Sequence, residues 1–89
     1  LIEQNLVQAV RRMGGLCPKF TSPGWAGAPD RLVLLSGGRL VFVEVKAPGM
    51  TLRPMQVRRK SQLESLGFRV YVIDHPDQIG GVLDEIQTP

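Results

Sequence analysis

The stretch from Pro29 to Lys46 limits what this chain can become more than any other. Two apolar, β-rich runs flank Gly37-Gly38, the pattern of a hairpin. The first run opens just after an acid, Asp30, and the second closes on Glu44-Val45-Lys46. Strand side chains alternate between two faces, so Val41, Val43 and Val45 share one face and Leu40, Phe42, Glu44 and Lys46 the other. An acid and a lysine thus leave an otherwise hydrophobic strand on one side, two residues apart. Desolvating them is costly unless a metal, a substrate or an opposite charge compensates.

The turn decides whether Asp30 joins them. A two-residue turn at Gly37-Gly38 sets Asp30 opposite Val45 and aims it away from Glu44. A three-residue loop, Ser36-Gly37-Gly38, pairs Asp30 with Glu44, Leu32 with Phe42 and Leu34 with Leu40. A one-residue slip exchanges the faces, so these are different structures. A kink at Pro29-Asp30 is a third way to turn Asp30 inward. Either the longer loop or the kink is expected, because the chemistry needs both carboxylates together.

The rest of the chain supplies an α/β frame. Ile2, Leu6, Val10 and Met13 recur at helical spacing, predicting a helix from Leu1 to Met13 that Gly14-Gly15 stop. Leu16 to Phe20 reads as a short strand, which Pro18 assigns to a sheet edge. Thr21 to Ala28 is a loop whose one large residue, Trp25, is suited to the core, to a nucleic-acid base or to a second copy of the chain. Pro54 opens a second helix running to Leu66, with Gly67 as its stop and Leu52, Met55, Leu63 and Leu66 as its apolar side. Phe68 to Ile73 is a strand; after a helical crossover it is expected to lie parallel to the Val41–Lys46 strand. Asp77 is a candidate cap for a last helix, Gln78 to Ile86, weakened by Gly80 and Gly81. The expected fold class is α/β, one domain over residues 1–89, with a mixed central sheet flanked by helices.

Composition excludes several classes. One cysteine, Cys17, rules out a disulfide framework and a thiolate zinc site and fits a reduced, intracellular setting. No apolar run reaches membrane-spanning length. A single histidine, His75, argues against a histidine-metal site, and the net charge of +3 permits a nucleic-acid partner.

Two acids and a lysine at strand ends suit metal-dependent phosphodiester hydrolysis. Asp30 and Glu44 are hard oxygen ligands appropriate to Mg2+ or Mn2+, with the Val45 carbonyl as a further donor. Lys46 offers a positive charge to the attacking water or the pentavalent phosphorus. Gln56, seven residues before Leu63, points partly inward and is suited to orienting water or lysine. Glu3 is a first-turn acid favoured by the helix dipole, or a further ligand. Arg53, Arg58, Arg59 and Lys60 form either a solvated face or a phosphate track.

Gly27-Ala28-Pro29-Asp30, Glu44-Val45-Lys46-Ala47-Pro48-Gly49, Leu52 and Pro54 to Gln56 resemble the virus-type replication-repair nuclease (VRR-NUC) domain of the PD-(D/E)xK superfamily. The resemblance extends from Glu3 to the Phe68–Ile73 strand. It implies a restriction-endonuclease-like fold, a divalent metal and DNA cleavage. Within it Glu3, Asp30, Glu44, Lys46 and Gln56 match site positions, which moves Glu3 from dipole acid to site residue. Compact members occur in phages and bacteria and resemble Holliday junction resolvases in dimeric architecture. A homodimer acting on branched DNA is therefore expected, with apolar residues of the first helix and the Trp25 loop as candidate dimer contacts. Lys60 departs from the apolar or aromatic residue expected at its position. The alternative reading is a catalytically silent nucleic-acid-binding module on the same fold.

Overall fold

The hairpin turn settles the register. In the computed structural model, which describes residues 1–88, Ser36, Gly37 and Gly38 form a three-residue connection. Both glycines take positive φ, +83° and +72°, where a side chain would be strained. The connected strands are β1 (Arg31–Leu35) and β2 (Arg39–Val45). They are antiparallel and pair Leu32 with Phe42, Val33 with Val41 and Leu34 with Leu40. Of the three arrangements open to the sequence, this is the longer loop.

A parallel strand, β3 (Val70–Ile73), lies on the other side of β2, giving a mixed sheet of order β1-β2-β3. Its register pairs Glu44 with Val72, and the Lys46 N–H donates to the Ile73 carbonyl at 2.9 Å. Residues 16–20 border β1 through two isolated bridges, Leu16 to Leu34 and Lys19 to Arg31, rather than as the expected strand. Pro18 has no N–H to extend a ladder, although its carbonyl still accepts from Leu32.

Alternation along β1 and β2 then sorts the helices. Val33, Leu35, Val41 and Val43 face α1 (Ile2–Arg12) and α3 (Gln78–Gln87), whose Leu6, Val10, Ile79, Leu83 and Ile86 complete the main core. The i, i+4, i+7 stripe of Ile79, Leu83 and Ile86 holds α3 despite Gly80 and Gly81. Asp77 sits at its N-cap, but its side chain makes no capping hydrogen bond. Phe42 and Val70 face the other way, toward Leu63 of α2 (Pro54–Ser65), with Phe20, Trp25 and Leu32 packed around them.

α2 departs from the expected apolar side. Only Leu63 is buried; Met55 is 43% and Leu66 74% exposed. Its first turn is positioned by backbone approach instead. At Gly27, φ is +82° and a Cβ would lie 2.7 Å from the Met55 carbonyl oxygen. This contact brings the loop leading to Asp30 against the turn carrying Gln56. Gly27→Ala is expected to destabilise the fold by roughly 2–3 kcal/mol, combining left-handed strain with a backbone clash. Gly24→Ala, at φ +78° with open space around it, should cost only about 1 kcal/mol. Urea unfolding of the two variants measures the difference.

Candidate active site

The three-residue loop continues the register so that Asp30, just outside the ladder, falls beside Glu44. Asp30 Oδ2 accepts the Val45 N–H at 2.9 Å, a bond that ties the end of β1 to the end of β2. Glu44 lies on the α2 face and is 5% exposed, the one charged residue buried among those described. Gln56 Nε2 donates to Glu44 Oε2 at 2.6 Å, and the Lys46 ammonium stands 3.6 Å from the same oxygen. Asp30, Glu44, Lys46, Gln56 and the Val45 backbone thus come together at the end of β2.

Gln56 has only one way to sit here. Its Oε1 accepts the backbone N–H of Arg53, the N-cap of α2, at 2.8 Å. Arg53 has no side-chain acceptor, so only the reaching-back half of a capping box can form. With Oε1 engaged, the amide must present Nε2 to Glu44, which fixes the flip through its hydrogen bonds.

Burial and then the neighbouring Asp30 carboxylate push the Glu44 carboxyl up to about 6, against the pull of Lys46. This negative charge, incompletely compensated, suits a cation. Asp30 and Glu44 thus set two carboxylates side by side, a pair of hard oxygen donors whose mutual repulsion a cation would relieve. The donor set therefore fits Mg2+ or Mn2+ better than a soft metal.

Glu3 stands apart. Its Oε2 pairs with Arg31 Nε at 2.8 Å, and Arg31 Nη1 donates to the Cys17 carbonyl at 2.8 Å. Among the described residues no three His, Cys, Asp or Glu side chains gather into a metal cluster. Glu3 nevertheless borders the open cleft of about 550 Å³ that includes Val45, Lys46 and His75. Arg31, its partner, escaped sequence reasoning, although its position next to Asp30 was a usable signal.

The α2 cations are unequally available. Arg59 lies with its guanidinium 5.0 Å from the Trp25 ring centroid and donates to the Ala26 carbonyl and to Gln62. Trp25 is half-buried and packs against the smaller core, while Leu6 and Val10 of α1 are fully buried in the main one. Lys60 borders a narrow cleft beside Glu44 and Gln56 and carries its ammonium out to Glu64 at 3.0 Å, which accommodates a lysine where an apolar residue was expected. Arg53 and Arg58 are exposed, with no side-chain partner among the described residues.

A mixed sheet carrying two carboxylates and a lysine at the end of its central strand is a nuclease-type α/β architecture. No family model matches the sequence. A solved structure described as a VRR_NUC domain superposes with a TM-score of 0.88 at 30% identity, covering 93% of this chain and 90% of that one. A protein of Acyrthosiphon pisum secondary endosymbiont phage 1, named "Putative nuclease p44", is 50% identical over 76 residues, spanning 85% of this chain and 82% of the relative. The chain belongs to the VRR-NUC nuclease family.

The raised Glu44 carboxyl has a thermodynamic consequence for the metal-free protein. The folded chain holds this proton more tightly than the unfolded chain. Ionised Glu44 therefore destabilises the fold fully above about pH 6, and the penalty vanishes as pH falls below 4.5. Glu44→Gln should raise metal-free stability at pH 7 by about 2 kcal/mol, and the gain should disappear near pH 4.5. Thermal melting of both proteins across this range, in chelator, measures it.

Proposed function

We propose that this protein is a divalent-metal-dependent DNA endonuclease that hydrolyses phosphodiester bonds, working as a homodimer on branched DNA. The observation that carries the reading is the Asp30–Glu44 pair with Lys46 on the Glu44 oxygen, in a VRR-NUC fold. Asp30, Glu44 and the Val45 carbonyl would hold Mg2+ or Mn2+, with Glu3 able to join through a water. The bound cation would supply Lewis acidity and offset negative charge at the phosphate.

The chain's own residues do the rest. Lys46 positions the attacking water and stabilises the charge that develops on phosphorus. Gln56 holds the Glu44 carboxylate in one orientation, and the buried position of Glu44 keeps that orientation in a low-dielectric setting where charge interactions are strong. Arg53, Arg58, Arg59 and Lys60 contact the DNA backbone. They give affinity without reading bases, consistent with recognition of DNA shape rather than sequence. A small domain gains stability from a second copy, and a two-fold dimer presents two active sites to a four-way junction.

Labelled linear, flapped, forked and four-way DNAs, each incubated with Mg2+, with Mn2+ and with chelator, test the reading. Metal-dependent cutting that is fastest on branched substrates is expected. Equal cutting of linear and four-way DNA, with a monomer in sedimentation, would remove the structure-selective dimer but leave the nuclease. DNA binding without turnover in either metal would favour a silent binding module.

Asp30→Asn, Glu44→Gln and Lys46→Ala are each expected to lower turnover by about a thousandfold or more with the fold intact. Gln56→Ala and Glu3→Gln should cost only about 10- to 100-fold, because both act through another group or a water. Single-turnover rates at saturating metal distinguish the two classes.

A further inference from the structure

We propose that the groove between α1 and the edge segment is a second backbone-phosphate site, holding DNA away from the scissile bond. Its choice of ligand rests on the nuclease reading above. The groove is about 630 Å³ in volume, predominantly polar and lined by Glu3, Gln4, Gln8, Arg11, Lys19 and Arg31. Gln4, Gln8 and Arg11 follow i, i+4, i+7 spacing and so share one face of α1. Lys19 and Arg31 rise opposite them as direct cross-strand partners.

That pairing is the telling feature. Like charges directly opposite one another across two strands repel and destabilise the pairing. Glu3 answers Arg31, but Lys19 and Arg11 make no ion pair or side-chain hydrogen bond among the described residues. Three cations thus face one carboxylate, beside two amides that can donate hydrogen bonds. A phosphate diester supplies the missing negative charge and accepts from both kinds of donor.

Position argues for DNA over a small anion. Glu3 borders this groove and also the cleft containing Val45 and Lys46, so one side chain separates the two. A strand whose scissile phosphate lies at Asp30 and Glu44 can pass this rim and reach Arg11 and Lys19.

The test is the salt dependence of duplex binding, read by fluorescence anisotropy in chelator, for the parent chain, an R11Q/K19Q double variant and R12Q. Arg12 is exposed on the same helix and lies outside the groove, so it controls for net charge. The double variant should bind about tenfold more weakly at moderate salt, and its slope should be shallower by about 2, near 0.9 per lost phosphate contact. Its melting temperature should stay at or above that of the parent, and its turnover at saturating DNA should be unchanged. An unchanged slope in R11Q/K19Q, or an equal loss per charge in R12Q, overturns the proposal. If the parent cuts DNA and the slopes coincide, the groove proposal fails and the nuclease reading stands. If no metal supports cutting but the slope still falls in the double variant alone, the groove stands and the nuclease reading fails.

Discussion

One buried carboxylate governs the architecture. Glu44 sits near the end of the central strand, buried beneath α2, where an isolated charge would be costly. Two groups make it tolerable: the Lys46 ammonium from two residues along, and the Gln56 amide from the first turn of α2. α2 buries a single side chain, Leu63. Its N-terminal turn is aligned by the Gln56 bond to Glu44 and by the close passage of Gly27 under Met55. The buried carboxylate at the candidate site is therefore also part of what orients the helix above it.

That dual role explains which parts of the molecule were legible in the sequence. The hairpin, the parallel position of β3 and the outer helices follow from periodicity and turn chemistry, both of which are local. The register was nearly legible: two glycines and the need to pair Asp30 with Glu44 left the three-residue loop among the candidates. The packing of α2 was misread because Met55 and Leu66 look like a core stripe, whereas only one turn of the helix faces Phe42 and Val70. Nothing local reports that a helix is held at one end by a hydrogen bond to a strand acid.

The site shows the same division. Asp30, Glu44, Lys46 and Gln56 were recognisable by residue type and spacing, and the fold brings them together. Glu3 was recognisable only through family resemblance, and the one sequence cue to its partner was that Arg31 directly follows Asp30. Arg31 takes it because Cys17 offers a carbonyl that fixes the guanidinium, a contact between segments far apart in sequence. Trp25 packs, half-buried, against the smaller core with Arg59 over its ring, a contact the loop sequence alone did not specify.

The parallel pairing of β2 with β3 also bears on biosynthesis. The backbone of Lys46 is tied to Ile73, which lies beyond the whole of α2. As the chain leaves the ribosome, Asp30, Glu44 and Lys46 emerge well before the strand that encloses them. Until β3 arrives, the hairpin has a bare edge beside Glu44. Assembly of this end of the sheet thus waits for the C-terminal third of the polypeptide, so an unfinished chain carries Asp30, Glu44 and Lys46 without the finished sheet that frames them.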